Sequence, residues 1–328
     1  MPKVSFIVAV YNSMPFLTQC LDSLLGQTVK DIEVICVNDC SPDNSAEVIQ
    51  DYIQRDPRVR LINHTTNKRQ GGAWNSGVQS AAGEYLCFVD ADDWLEKNYC
   101  EVALKNETAD IILARRFYRG DIETDNIKPE TFARCGNDLR RYLLLYGLFF
   151  ITNFYKRELF LGFQFVENNM YHDFMTDLLY FKTDNIFVIE NAGYHYRVDN
   201  ISTQRSKNNN SFWGRLEVAI LEYNSYASIS SSNGYREEID FHFYSIYYIN
   251  TLIRAFWGYT TLHWDIINQV KKNQKELLPN IKNNPYYSKR FETLSFALRF
   301  PIYLFELCPR WLINIAHKIY WIVRGEEK

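Results

Sequence analysis

The sequence predicts an α/β fold in which helices cover both faces of a mainly parallel, doubly wound sheet. In the first third of the 328-residue chain, unbroken apolar and β-branched runs alternate with segments whose apolar residues recur at helical spacing. A strand that is buried on both faces needs such a run, and strands alternating with helices are typical of a parallel sheet. The predicted strands are residues 4–10, 32–39, 59–63, 84–90 and 109–118.

Helices are predicted between and after these strands. Residues 14–27, 41–56 and 71–83 have helical patterns, and the second of these begins with a Ser-Pro pair that suits a helix start. Residues 142–155 predict a buried helix that runs into a strand, because the apolar run is too short to span a bilayer and basic pairs flank it.

The remainder of the chain has weaker signals. Residues 119–135 show no clear pattern, 171–181 predict a helix, and 193–203 predict a strand that ends in a polar loop. Residues 205–211, "RSKNNNS", are the best candidate for a linker, and the chain beyond them is helical and aromatic in character.

Composition restricts the class of protein. A hydrophobic content of 47% with 23% charged residues describes a globular chain, and a net charge of −3 argues against a nucleic-acid partner. Residues 271–328 contain eleven Lys and Arg against five Glu, which gives this tail +6 and the remainder −9. The seven cysteines form no CxxC pair, and the first residues lack a signal-peptide pattern. We therefore expect a cytoplasmic protein.

Polar side chains follow three of the predicted strands. Tyr11 follows the first strand, Asp39 ends the second, and Asp90, Ala91 and Asp92 follow the fourth. Ligands of doubly wound sheets bind beyond the carboxyl ends of the strands. The sequence therefore predicts a functional site at this edge of the sheet.

The acidic segment "CFVDADDW" has two possible explanations. Carboxylates at a strand end can cap the following helix, which accounts easily for one of Asp90, Asp92 and Asp93. A D-x-D pair on a turn also suits a hard divalent cation, Mn²⁺ or Mg²⁺, that bridges to phosphate oxygens. We favour a metal–diphosphate site, because capping does not explain three neighbouring aspartates.

Two other enzyme classes fit less well. A phosphatase of the haloacid-dehalogenase kind has its D-x-D motif after the first strand, whereas this chain has the motif after the fourth. A dinucleotide-dependent dehydrogenase is disfavoured because no GxGxxG follows the first strand.

Four segments, taken in order, resemble the inverting glycosyltransferases of family 2, which have the GT-A fold. They are "VSFIVAVYNSMPFLTQCLDSLLGQT", "IEVICVNDCSPDNS", "NKRQGGAWNSGVQSAAGEYLCFVDADDW" and "NFYKRELFLGFQFVENNMYHDF". The resemblance implies a catalytic domain over residues 1–205, with a nucleotide-sugar half at about 1–118 and an acceptor half at about 119–205. Residues 206–328 are then a helical, aromatic-rich C-terminal region.

The resemblance also implies roles for the residues at the strand ends. Ala9 and Tyr11 contact the nucleoside, and Asp39 accepts the N–H of a base such as uracil. Asp90 lies near the ribose or base with Ala91 beside it, and Asp92 is the metal ligand.

The chain departs from the family pattern at the third segment and beside Asp39. Trp74 replaces the Arg that usually precedes Asn75, which the resemblance includes among the donor-binding residues, and Asn38 and Cys40 also differ. A substitute for the missing positive charge at the diphosphate must come from elsewhere. The sequence offers Arg69, Arg197 and Arg205.

The reaction that the resemblance implies needs a base for the acceptor hydroxyl. The family has this carboxylate at the start of a helix, usually as Glu-Asp, and the matching pair here is His172–Asp173. Asp173 is therefore the predicted base, and Asp177, one helical turn further on, is its competitor. His172 either tunes Asp173 or faces solvent.

The predicted function is transfer of a sugar from a UDP-sugar to a glycan or lipid-linked glycan in bacterial surface-glycan synthesis. The alternatives are a nucleotidyl- or phosphoryl-transfer enzyme that uses the same metal site, and a sugar-nucleotide-binding protein without catalysis. Residues 294–328 are apolar, aromatic and basic, and they predict either an anionic membrane surface as partner, or a packed subdomain or homodimer contact.

Overall fold

The computed structural model describes residues 1–190, 193–198, 209–291 and 294–324. It divides the chain into two compact units, Met1–Gln204 and Arg205–Lys328. In the described residues of the first unit, the strands are β1 (Val4–Val10), β2 (Ile32–Asn38), β3 (Val59–Asn63), β4 (Tyr85–Asp90), β5 (Trp94–Leu95), β6 (Ile111–Ala114), β7 (Arg116–Arg119), β8 (Ile122–Asp125), β9 (Phe154–Lys156), β10 (Ile186–Ile189) and β11 (Tyr194–Tyr196).

The helices of the first unit follow the same chain order. They are α1 (Met14–Leu25), α2 (Ser45–Arg55), α3 (Arg69–Ser80), α4 (Tyr99–Leu104), α5 (Pro129–Arg134) and α6 (Leu139–Tyr146), with 3₁₀ helices at Phe150–Thr152, Arg157–Phe160 and His172–Phe181.

The main sheet has seven strands in the order β10-β6-β9-β4-β1-β2-β3. All neighbouring strands are parallel except β9, which runs antiparallel to both β4 and β6. Six of the seven residues of β1 and all seven of β2 are buried, as strands covered on both faces must be. The predicted mainly parallel α/β fold is confirmed.

Helix α3 packs directly against strand β1 of this sheet. A Cβ atom added at Gly77 would lie 2.4 Å from the Cγ2 of Ile7 on β1. Only glycine allows the helix to approach so closely. The apolar segment 142–155 is also as predicted, because α6 is followed by a 3₁₀ turn and then by β9.

A second, four-stranded sheet with the order β5-β11-β7-β8 was not predicted. The predicted strand 109–118 is wrong as a single element. It is two strands in two different sheets, since β6 belongs to the main sheet and β7 to the second. The backbone N–H of Arg115, between the two strands, donates to the carbonyl of Ile189 (2.9 Å).

The second unit is helical in its described residues. It contains α7 (Asn209–Tyr226), α8 (Arg236–Phe243), α9 (Asn250–Trp257), α10 (Trp264–Leu277), α11 (Phe296–Leu307) and α12 (Arg310–Arg324), and a π-helical turn at Tyr244–Ile249 joins α8 to α9. Among the residues that the structure describes, no helix has the length and apolar character needed to cross a membrane. Part of the predicted linker, residues 205–208, and the end of the predicted segment 193–203 lie outside the described residues.

Candidate active site

The central strands bring the predicted donor residues to one edge of the sheet. In the register of the parallel pairs, Ala9 on β1 lies between Val37 on β2 and Asp90 on β4. Tyr11 and Asp39 follow directly on β1 and β2. The structure therefore brings Ala9, Tyr11, Asp39 and Asp90 together at the carboxyl ends of adjacent strands.

The loops after β1 and β2 are tied to each other. The N–H of Asn12 donates to Ser41 Oγ (2.7 Å), and the N–H of Met14 donates to Asp43 Oδ2 (2.9 Å). Burial would raise the pKa of Asp43, but hydrogen bonds from Ser41, Ser45 and Met14 outweigh burial and lower it. These contacts fix the loop that carries Tyr11, whose side chain is 50% exposed.

Asp39 is buried and organises the loop at the start of α3. Its Oδ1 lies 2.7 Å from His64 Nδ1 and accepts the N–H of Lys68 (2.8 Å). His64 Nε2 in turn lies 2.8 Å from Ser76 Oγ. In the described part of the chain, Asp39 Oδ2 has no hydrogen-bond partner, so this oxygen is the one that can meet a ligand.

The three aspartates after β4 lie on one tight turn, which the N–H of Asp93 closes on the carbonyl of Asp90 (3.0 Å). Asp93 is 1% exposed, and its two oxygens accept the hydroxyl of Tyr194 (2.7 Å) and the N–H of Arg197 (2.8 Å). Burial, and then the charges of Asp90 and Asp92, raise the pKa of Asp93 to about 9. Asp93 therefore joins this turn to β11.

Asp90 is in a similar electrostatic environment. Burial, and then the charge of Asp92, raise the pKa of Asp90 to about 7, with a hydrogen bond from Gln70 opposing the rise and Asp173 adding to it. Gln70 Nε2 lies 2.5 Å from Asp90 Oδ1. One carboxylate oxygen each from Asp90, Asp92 and Asp93 lie within 4.8 Å of one another. Three clustered oxygens of this kind fit a hard divalent cation.

Asn75 does not point to these carboxylates. Its Nδ2 donates to the carbonyl of Phe165 (2.9 Å), and its Oδ1 accepts the N–H of the same residue (2.9 Å). The neighbouring Trp74 is 2% exposed and packs against Phe88, Phe150, Phe165 and His172. Both residues therefore hold the segment around Phe165 against α3.

The three arginines considered for the diphosphate differ in position. Arg69 is exposed at the first residue of α3, where helix N–H groups also favour an anion. Arg197 is held between two aromatic rings and the Asp92 carbonyl. Arg205 lies outside the described residues.

The predicted base and its competitor lie in different surroundings. Asp173 is exposed in the first turn of the 3₁₀ helix His172–Phe181, and its charge reaches Asp90. Asp177 instead adds to the rise in the pKa of Tyr155 and Tyr180, which burial dominates. The charge of Asp173 acts on Asp90 in the aspartate turn.

His172 does not face solvent. Its ring contacts Trp74 edge to face at 4.7 Å, and burial lowers its pKa, with Asp173 opposing the change. Within the described residues, His172 Nδ1 has no hydrogen-bond partner. The residue is therefore a neutral member of the aromatic cluster beside Asp173.

Sequence reasoning missed three residues that shape the site, namely Gln70, Tyr194 and His64. Gln70 contacts Asp90, Tyr194 contacts Asp93 and His64 contacts Asp39. Each of the three lies on a different structural element from the aspartate that it contacts. No local sequence pattern predicts the contact. A buried aspartate does, however, imply that a donor of this kind exists somewhere in the fold.

Comparison with known proteins finds a family match within the first unit. Residues 5–164 match the model of Glycosyl transferase family 2. The uncharacterized glycosyltransferase EpsJ of Bacillus subtilis (strain 168) is 50% identical over 94 residues, which are 29% of this chain and 27% of EpsJ. The chain thus matches less than a third of the length of this curated relative. Its residues 5–164 are similar to the family 2 glycosyltransferases, as the motifs predict.

Solved structures share the GT-A fold. S. aureus TarS 1-349 in complex with UDP-GlcNAc has a TM-score of 0.56 at 19% identity, over 84% of this chain and 92% of that one. The mannosyltransferase PcManGT from Pyrobaculum calidifontis, in complex with GDP-Man and Mn²⁺, has a TM-score of 0.50 at 14% identity, over 93% and 87%. At these identities the likeness concerns the fold.

Proposed function

We propose that this protein transfers a sugar from a nucleotide-sugar, most simply a UDP-sugar, to a hydroxyl of a glycan or lipid-linked glycan. The transfer inverts the anomeric carbon and depends on Mn²⁺ or Mg²⁺. The observation that carries this proposal is the cluster of Asp90, Asp92 and Asp93 carboxylates at the carboxyl ends of the central strands, with Asp173 as the proposed base. A base beside a metal–diphosphate site is what glycosyl transfer requires.

The aspartate turn supplies the donor end of the site. Asp92 is the proposed metal ligand, and Asp90 and Ala91 are proposed to face the nucleoside. When bound, a divalent cation neutralises the charge that develops on the diphosphate. A nucleotide-sugar in the related TarS and mannosyltransferase structures, with Mn²⁺ in the latter, supports this arrangement.

The nucleoside is proposed to lie across the ends of β1 and β2. The exposed ring of Tyr11 can stack on a base, with Ala9 beneath it. Asp39 Oδ2 accepts an imide N–H, because Oδ1 already serves His64 and Lys68. Arg69 extends from the start of α3 and supplies positive charge for the diphosphate.

Asp173 is the proposed catalytic base. It takes the proton of the acceptor hydroxyl, whose oxygen forms a bond to the anomeric carbon on the face opposite the diphosphate. The bond from that carbon to the nucleoside diphosphate breaks, and its electron pair leaves with the diphosphate. Residues of about 119–205 are proposed to bind the acceptor.

A binding experiment tests the donor site. In a thermal-shift panel of UDP- and GDP-sugars with and without Mn²⁺, we expect one UDP-sugar with Mn²⁺ to raise the Tm most. Asp92→Asn should lose the part of the shift that needs Mn²⁺. Asp31→Asn, which changes an exposed aspartate before β2, is the matched control and should keep it. A shift of equal size with and without Mn²⁺ would contradict the metal site.

We further propose that the protein acts at the cytoplasmic face of the cell membrane, because two helices of the second unit expose apolar stripes. On α11 the stripe is Phe296, Phe300, Tyr303 and Leu307, and on α12 it is Trp311, Ile315, Ile319 and Ile322. Both sets follow helical spacing. The opposite side of α12 is packed through Ile313, His317 and Trp321.

Charge favours an anionic lipid surface as the partner of these stripes. Residues 294–324 contain Arg299, Arg310, Lys318 and Arg324 against the single acid Glu306. Lys318 lies within the exposed stripe of α12, seven residues after Trp311. Aromatic and basic residues interleaved with exposed aliphatic ones are typical of a helix that lies in a membrane interface.

A further inference from the structure

Five side chains form a continuous stack beside the aspartate turn. The guanidinium carbon of Arg197 lies 4.6 Å from the ring centre of Phe16 and 4.7 Å from that of Trp94. Trp94 also stacks on His195, whose ring is parallel to it within 10° at 4.8 Å. His195 stacks in turn on Tyr118 at 4.5 Å, also within 10°. The stack joins α1 to β5, β11 and β7.

Arg197 connects this stack to the turn itself. Its Nε donates to the carbonyl oxygen of Asp92 (2.7 Å), and its backbone N–H donates to Asp93 Oδ1 (2.8 Å). A further guanidinium nitrogen donates to Gln19 Oε1 on α1. Arg197 therefore holds the backbone of Asp92 from outside the turn.

These contacts leave the guanidinium poorly placed for a phosphate. The guanidinium of Arg197 lies against two aromatic rings, those of Phe16 and Trp94. Along its edge, Nε and one terminal nitrogen are already hydrogen-bonded to Asp92 and Gln19. A guanidinium binds phosphate with two parallel N–H groups of one edge. Binding a diphosphate through the edge that contains Nε would require Arg197 to give up the contact that holds Asp92.

We propose that Arg197, clamped between Phe16 and Trp94, is a positioning residue that orients Asp92 for the divalent cation, and that it does not bind the donor diphosphate. The inference rests on the metal-dependent donor site proposed above. Residues that orient a metal ligand typically change metal affinity 10- to 100-fold when they are substituted. Arg197→Lys keeps the charge but loses the planar group that the two rings enclose.

Titration of the protein with Mn²⁺, followed by Mn²⁺ electron paramagnetic resonance and by UDP binding, tests this role. We expect Arg197→Lys to weaken Mn²⁺ binding about 10-fold. Trp94→Leu and Phe16→Leu, which remove no charge, should weaken it in the same direction. UDP binding in the presence of EDTA should stay at the wild-type level in all three variants, and transfer should recover at saturating Mn²⁺.

Arg55→Lys is the matched control, because Arg55 also lies over an aromatic ring, that of Tyr52 on the same helix α2. It should leave Mn²⁺ binding unchanged. Unchanged Mn²⁺ binding in Arg197→Lys would overturn the inference, and so would weaker UDP binding by that variant in EDTA. If the wild-type protein itself shows no Mn²⁺-dependent UDP binding, the proposed metal site fails together with the inference.

Discussion

His172 illustrates how a residue beside a proposed catalytic base can serve the core. Its ring packs on Trp74, and its Nδ1 has no partner among the described residues. Because a protonated imidazole would need solvent or a counter-charge, burial keeps this ring neutral and lowers its pKa below the usual 6.5, against the opposing effect of Asp173. His172 therefore fixes the start of the helix that carries Asp173.

The lowered pKa of His172 predicts a pH dependence of stability. Below about pH 6.5 the unfolded chain binds a proton at this residue that the folded chain does not. The free energy of unfolding therefore decreases as the pH is lowered. His172→Phe removes this loss. We expect the difference in free energy of unfolding, variant minus wild type, to rise by on the order of 1 kcal/mol when the pH is lowered from 7.5 to 5.5. Urea unfolding at the two pH values measures it. If this difference at pH 5.5 is equal to or smaller than at pH 7.5, His172 is protonated in the folded protein.

At the scale of elements, α3 and the segment from Phe165 to Asp173 depend on each other. Asn75 holds the backbone of Phe165 by two hydrogen bonds. Gly71 lets the same segment approach, since a Cβ added there would lie 2.3 Å from the carbonyl oxygen of Val166 and 2.8 Å from the Cβ of His172. The first turn of α3 thus positions both Gln70, beside Asp90, and the helix that carries Asp173.

This packing predicts that Gly71→Ala destabilises the protein. Alanine normally improves a helix by about 1 kcal/mol relative to glycine. At this position we expect a loss of about 1–3 kcal/mol in the free energy of unfolding, because the backbone of Val166 must move away. Gly234→Ala is the control, since a Cβ there meets nothing within 4 Å. Equal stability of Gly71→Ala and the wild type would show that the segment around Val166 can move away without loss of stability.

The elements that could be predicted from the sequence are those whose residues are buried along the whole length of a strand. Residues 4–10 and 85–90 are buried on both faces, so their apolar runs are unbroken and their ends are clear. The second sheet could not be predicted, since β5 has two residues and β11 has three, too few for a periodicity.

The same distinction applies to the site. Asp90 and Asp92 stand at the end of a recognisable strand, and the family motif predicts a catalytic role for Asp173. The contacts of Gln70, Tyr194 and Arg197 arise only when distant segments meet. Asn75 and Trp74 lie within a recognised motif, yet their side chains serve packing, which only the surrounding fold determines.

The whole molecule combines an α/β unit that matches the family 2 glycosyltransferases with a helical unit whose last two helices expose apolar stripes. A monomeric protein rarely exposes apolar residues in such a regular pattern without a partner. The basic residues among them favour an anionic lipid surface over a second copy of the chain. The second unit is therefore proposed to bring the enzyme to a lipid-linked acceptor.

Vesicle binding tests this role of the second unit. We expect the protein to co-sediment with vesicles that contain anionic lipid and less with neutral ones. Ile315→Ser combined with Ile319→Ser should reduce the bound fraction several-fold, because both apolar side chains leave the interface. Leu221→Ser, at an exposed position of α7, is the control. If the double variant instead abolishes a concentration-dependent dimer and binds vesicles normally, the stripes pair two copies of the chain.

Asp173 is proposed to be the base of a glycosyl transfer at the aspartate turn. The most direct test of this role compares Asp173→Asn with Asp177→Asn in a transfer assay, using the UDP-sugar selected by thermal shift. Removing a general base costs 10²–10⁴-fold in rate, so we expect Asp173→Asn to lose transfer by about that factor while it keeps Mn²⁺-dependent donor binding. Asp177→Asn should stay active. Wild-type transfer rates in Asp173→Asn, or loss of transfer only in Asp177→Asn, would show that Asp173 is not the base.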